Sequence, residues 1–425
     1  MSTATTWIRR AAIAIAITSI VGCGPSVSPT PTTGPTPAPS PSAVAASPGG
    51  STDPATIYAA IAAQVEQIRG LQPKADVAPV LIDADQLRAN LTADFDQNNP
   101  PAVVQATQDL YIELGLLPPG ASLRTAYLDL QSGQVAGYYS PDQKQLFVVT
   151  RSGGVGPTQR VTYAHEFTHQ LQDQNFDLSK LQLGVTDQGD RSYGRLALVE
   201  GDAVTTQTTW MTANLTAVDL SQLLADASDP VAVAALQRAP AILRTTAFFP
   251  YTDGVTFVRT LMTNGGIAAV NAAFADPPDS TTQVLHPELY LDRLRPVAVK
   301  LPATLASSLG AGWTLLGEDT LGELQIRGWL TADGVDAATA ATAAAGWAGD
   351  RLAILGGPNG QIALAMVIRW SSLADMHEFG SAFGLVTSKL AGTSTYDGTL
   401  GDSTVSIVIA PNVQVGQKLH DDLRP

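Results

Sequence analysis

Two histidines stand four residues apart around a glutamate in His165-Glu166-Phe167-Thr168-His169, and few local structures make use of that spacing. In an α-helix, positions i and i+4 lie on one face, so both imidazoles aim at one point and Glu166 sits one step round from them. The chain has only five histidines in 425 residues, which makes this arrangement improbable by chance. Val161, Tyr163, Ala164, Phe167 and Leu171 supply apolar neighbours, and no proline falls between Val161 and Gln172. The pattern predicts a buried helix whose two imidazoles share a divalent metal, with zinc expected about 2.0–2.1 Å from each ring nitrogen. Glu166 is placed to act as general base toward water.

Such an ion needs a third protein ligand and an open position. Downstream, Leu196-Ala197-Leu198-Val199-Glu200-Gly201-Asp202-Ala203 reads as a second helix in which Glu200 is framed by apolar residues. A carboxylate on a buried face is costly unless paired or metal-bound. Two other acids compete for the role. Asp190 lies in Asp190-Arg191-Ser192-Tyr193-Gly194, which matches the D-x-x-Y-G part of the aspartate-ligand zinc peptidases, although Thr186 and Asp187 stand where that pattern has G-T. Asp202 is two residues past Glu200 and so turned from its face.

At these residues the chain resembles the gluzincins, H-E-x-x-H zinc peptidases with a third-ligand Glu on a following helix, often in an E-G-x-A string such as Glu200-Gly201-Asp202-Ala203. The resemblance implies His165, His169 and Glu200 as zinc ligands and Glu166 as base. Val204 occupies the place of the Asp in the thermolysin-type E-x-x-x-D pattern. The chain is also similar to a narrower group of secreted or lipid-anchored metallopeptidases. That similarity rests on Gly137 to Pro141, His165 to Asp177, Phe249-Pro250-Tyr251, Pro277 to Gln283, His286-Pro287 and Gly346 to Arg351. Thr282 stands where this group carries Glu. Hydrolysis also calls for a donor to the developing oxyanion; the shared string makes His286 the leading catalytic candidate, with Tyr193, Tyr138 and Tyr139 behind it. Asp173 and Asp177 are candidates to orient a ligand imidazole through its other nitrogen.

The front of the chain bears on location. Arg9 and Arg10 precede an apolar run from Ala11 to Val21, too short for a permanent span but suited to a signal peptide. It ends in Ile20-Val21-Gly22-Cys23, which resembles a bacterial lipobox and implies lipid on Cys23 and an extracytoplasmic, membrane-anchored product. Cys23 is the single cysteine, so an intrachain disulfide is impossible. Residues 23–53, rich in Pro, Ser, Thr, Gly and Ala, read as a disordered tether. Loss of Arg9 and Arg10 with the leader moves the formal charge from −14 to −16; such acidity leaves no electrostatic footprint for nucleic acid.

The remaining residues, about 370, suffice for two domains. An α+β fold is expected, with a predominantly helical zincin-like domain at 54–296 followed by a smaller α+β domain at 297–425. Asp53-Pro54 starts a helix, and further helices are expected near 83–95 and 103–114. Residues 133–150 read as a hairpin around Ser140-Pro141-Asp142, a candidate edge for peptide docking by strand addition. Residues 346–355 and 361–370 read as strands joined by Gly356-Gly357-Pro358-Asn359-Gly360, a turn rather than a nucleotide loop. A helix at 373–390 and a strand at 404–410 follow, with His377 and His420 in structural roles. The functional expectation is a peptidase. The alternative is a lipid-anchored structural or binding protein whose zinc site is degenerate or structural.

Overall fold

The computed structural model describes residues 12–15, 53–150, 154–398 and 401–424. Cys23, most of the leader and the tether through residue 52 lie outside the described residues. The architecture is α+β and predominantly helical, with two small sheets. None of the helices among the described residues is long and apolar enough to cross a membrane.

The first sheet is built on the hairpin β3 (Val135–Ser140) and β4 (Gln145–Val149), with β2 (Val80–Ile82) parallel to β4. The extended stretch β1 (Ala12–Ile15) pairs antiparallel with the other side of β3, placing Ala12 opposite Tyr139. In the full chain both outer sides of the expected hairpin carry a partner strand, although β1 belongs to the expected leader and would leave with it.

Against this sheet lies the motif helix, Pro157–Phe176. Pro157 begins it, where a missing N–H costs nothing, and Asp177 ends it in a left-handed conformation at φ 58°. Every residue from Val161 to Asp173 is buried, so this helix is central rather than amphipathic. One side meets the sheet and another meets the helix Pro54–Arg69, which Asp53 caps by accepting from the Thr56 amide. A third meets the ligand helix, Gly189–Asn214, which in turn crosses the long helix Ala241–Ala273.

The second sheet has five antiparallel strands in the order β5-β6-β7-β9-β8: β5 (Thr314–Asp319), β6 (Trp347–Gly356), β7 (Ile362–Trp370), β8 (Thr393–Asp397) and β9 (Thr404–Ala410). The glycine-rich stretch between β6 and β7 is the turn of an antiparallel hairpin. The boundary expected near residue 296 separates the two sheets; some apolar clusters lie wholly on one side of it and the largest crosses it. Ala106, Leu110 and Tyr111, from the helix Pro101–Glu113, share one apolar cluster with Ile326, Trp329, Leu364 and Ile407. Hydrophobic burial is the main favourable term in folding, so the two regions stabilise each other.

Candidate metal site

Where the motif helix faces the ligand helix, His165, His169 and Glu200 converge, all at 1 % exposure or less. His165 Nε2 and His169 Nε2 are 3.0 Å apart, and each lies 3.2 Å from Glu200 Oε2. Donors around a tetrahedral ion with bonds of about 2.0–2.1 Å are separated by about 3.3 Å. The three side chains thus form a pocket of the right dimensions, and this buried cluster can hold a metal ion.

The outer ring nitrogens settle which atoms face inward. His165 Nδ1–H donates to Gln207 Oε1 at 2.8 Å, and His169 Nδ1–H donates to Gln172 Oε1 at 2.9 Å. The Gln172 amide cannot be reversed without loss, because its Nε2 donates to the Val199 carbonyl at 3.0 Å and to Asp202 at 2.8 Å, both acceptors only. Asp202 is held in turn by Arg69 Nε at 2.8 Å, in an ion pair with side chains 1 % and 3 % exposed. With Nδ1 protonated on each ring, both Nε2 lone pairs are free for an ion.

The electrostatics agree. Burial holds the His165 pKa below its usual value. Burial also opposes protonation of His169, but the adjacent Glu200 more than offsets it and raises that pKa. Glu200 is correspondingly lowered, because the two imidazoles outweigh the burial that would raise it. The cluster therefore favours a carboxylate beside positive charge, which a divalent cation supplies in place of a proton.

Glu166 is fully buried on the same helix, one residue from His165. Tyr251, on the long helix, brings its hydroxyl to Glu200 and lies 6.2 Å, centroid to centroid, from the stacked His165 ring. Burial and the nearby Glu200 and Glu166 charges raise the Tyr251 pKa far above its usual value, so the phenol stays a proton donor. Sequence reasoning missed this residue as chemistry, although it stands in the quoted Phe249-Pro250-Tyr251 string. It also missed Gln172 and Gln207, three residues past His169 and seven past Glu200, at spacings that keep each on its neighbour's helix face.

The other candidates lie elsewhere. Asp190 is buried at the start of the ligand helix, where it accepts from the Thr281 amide at 3.0 Å and from the Thr281 hydroxyl. Asp202 serves the Gln172–Arg69 chain. Asp173 accepts from Tyr139 at 2.9 Å and Lys144 at 2.7 Å instead of a ligand imidazole, and Asp177 accepts from the Ser179 amide. His286 Nε2 is 2.8 Å from Glu323, whose hydrogen bond raises the imidazole pKa; neither belongs to the metal-binding group. Tyr138 accepts from Asn90 at 2.9 Å. Tyr193 lines a cavity of about 190 Å³ that also takes in Glu200 and Tyr251. His377 is exposed, and His420, largely buried, lies 3.7 Å from Asp397.

One family model, described as a domain of unknown function (DUF8575), matches residues 313–420. No curated protein and no solved structure matches the chain.

Proposed function

We propose that the protein is a zinc-dependent peptidase held at the extracytoplasmic face of a membrane through lipid on Cys23. The observation that carries this reading is the convergence of His165, His169 and Glu200 into one buried donor set, each imidazole fixed by a glutamine amide. Two nitrogens and one carboxylate oxygen suit zinc and leave a position open. When bound, the ion would supply Lewis acidity toward a carbonyl and toward water.

The remaining work falls to the protein's own groups. Glu166 takes a proton from the attacking water and passes it to the departing amine. Tyr251, whose single hydroxyl proton is directed at Glu200 here, would be released from it when Glu200 binds the ion and would then donate to the oxygen on which charge develops, in a site where low exposure strengthens that bond. Gln172 and Gln207 hold the imidazole tautomers throughout.

The test compares the purified full chain with Glu166→Gln and Glu200→Ala for zinc per chain and for casein cleavage. Expected are one zinc in the wild type and in Glu166→Gln, cleavage by the wild type alone, and loss of both zinc and cleavage in Glu200→Ala. Normal cleavage by Glu166→Gln overturns the assigned base. A wild type that takes up no zinc overturns the reading, and one that holds zinc but cleaves nothing favours the structural or binding alternative.

A further inference from the structure

The cavity at Glu200 does not end there. Gly189, Ser192, Tyr193, Leu196 and Glu200 all line it, and their spacing of three, one, three and four residues places them along one face of the ligand helix. Eleven residues of helix span about 16 Å, so this face forms the floor of a cleft running from the metal site to Asp319 and Gln325 in the C-terminal region. The helix Leu123–Gln134 contributes Tyr127, Leu130 and Gln131, and the long helix contributes Leu243, Ala247 and Pro250.

Three features of the lining define what fits. Most of it is apolar, and no lysine or arginine is among the lining residues, so away from the metal end a phosphate or terminal carboxylate would find no cation. The acids are Glu200, committed to the metal cluster, and Asp319, whose Oδ1 accepts from the Gly189 amide at 2.7 Å and the Thr320 amide at 2.8 Å. Against an all-hydrocarbon occupant stand polar residues of the lining, among them Gln131, Thr186, Ser192 and Gln325. An alkyl chain would cover such groups without pairing them, at a cost for each that loses its water. A peptide backbone offers an N–H and a C=O at every residue.

Resting on the hydrolase reading, we infer that this cleft binds about five residues of extended, uncharged, mainly apolar peptide on one side of the bond to be cut. Leu196 is its specificity-determining floor, and the polar side chains of the lining, Gln131 among them, hold the backbone. The substrates are internal segments of unfolded or flexible hydrophobic protein, not chain ends.

Binding and cleavage are measured separately. A fluorescent, N-acetylated and C-amidated pentapeptide of Leu, Val and Ala is titrated into the full-length Glu166→Gln variant. The same titration uses versions with Lys or Asp at the centre and an N-lauroyl amide, and wild-type cut sites in casein are mapped by mass spectrometry. The apolar peptide should bind at least tenfold more tightly than either charged one. Leu196→Trp, which fills the floor, should weaken it at least tenfold, and Gln131→Leu several-fold, with unchanged melting temperatures as the check on folding. Equal binding of charged and apolar peptides overturns the inference, as does indifference to both variants. Tighter binding of the lauroyl amide overturns the peptide assignment. Selective peptide binding without any wild-type cleavage would sink the hydrolase reading and keep the cleft; cleavage without apolar selectivity would do the reverse.

Discussion

Gly201 follows Glu200 at the point where the ligand helix crosses the long helix, and its replacement by alanine gives the sharpest structural test of the site. A Cβ at Gly201 would come within 2.2 Å of the Gly254 carbonyl oxygen and 2.3 Å of its carbon. A Cβ at Gly254 would come within 2.3 Å of the Ala197 oxygen. The obstructing atoms are backbone, so no change of rotamer relieves the clash. Ordinary contact begins at 3.4 Å, so moving from 2.2 Å separates the helices locally by about 1.2 Å. One helix carries Glu200 and the other Tyr251, and the shift is a large fraction of the 3.0–3.2 Å that separate the metal-binding donors. Overpacked cores lose about 1–3 kcal/mol, and a clash between main chains belongs at the upper end, about 3 kcal/mol. At about 2–4 °C per kcal/mol, melting should fall by about 6–12 °C. Zinc affinity, measured by chelator competition, should fall at least about tenfold. Gly384→Ala serves as control: that glycine is helical and exposed, with nothing within 4 Å of the added carbon, so the change should be neutral or stabilising by up to about 1 kcal/mol. Unchanged melting and zinc affinity in Gly201→Ala would refute the claim that this crossing sets the site.

Tyr251→Phe should lower kcat by about 10²–10³-fold with little change in KM, and should weaken zinc only modestly, since Glu200 loses one hydrogen bond but stays in place; an unchanged kcat removes Tyr251 from the mechanism. Gln172→Leu takes the acceptor from His169 and should weaken zinc about 10–100-fold by chelator competition; unaltered affinity would show that the amide does not hold the ring. Asp319 predicts a pH dependence. Burial raises its carboxyl to about 7 from 3.8, so the folded state binds the proton more tightly than the unfolded chain. The resulting stability is fully present below about pH 4 and is lost as pH rises through about 7. Because the group is only partly buried, the contribution is about 1–2 kcal/mol. Asp319→Asn keeps the acceptor for the Gly189 and Thr320 amides but cannot titrate, so urea denaturation at pH 5 and pH 8 should differ less in the variant; an identical difference would show that Asp319 is not the source.

Much of this site was legible because its chemistry depends on helical spacing. His165, Glu166 and His169 occupy consecutive turns, and Glu200 was distinguishable because an acid among Leu198, Val199 and Ala203 is costly to bury without a partner. The supporting residues were harder to read. Gln172 and Gln207 are ordinary polar residues until the helices are packed, and the Arg69–Asp202 pair joins residues 133 positions apart. Asp173 was a reasonable orienting residue by spacing, yet its face meets Tyr139 and Lys144 on the hairpin. In the fold, the helix start at Pro54 and the β6–β7 hairpin carried local signals, while the helix expected from residue 103 starts two residues earlier, at Pro101. Strand β2 has three residues and β5 is mostly exposed along its first half; neither shows a periodicity that a local pattern can reveal.

The first turn of a helix has amide hydrogens without intrahelical partners, and the start of the ligand helix satisfies its own through the C-terminal region. Gln188 makes no side-chain cap there. Asp319 accepts from the Gly189 amide instead, and the Asp190 amide donates to the Thr320 carbonyl. Arg351 secures the preceding loop by donating to the Asp187 carbonyl at 2.7 Å. Gly322 closes against Asp190 at φ 69°, where a Cβ would overlap that carboxylate at 1.8 Å. These contacts fix the same helix whose eleventh residue beyond Gly189 is Glu200. The stretch that matches a domain of unknown function therefore caps and seats the helix carrying the third candidate ligand, and its apolar face shares a core with the helix Pro101–Glu113. Removing it would uncap that helix and expose this core, so the geometry of the candidate metal site depends on strands more than a hundred residues away in sequence.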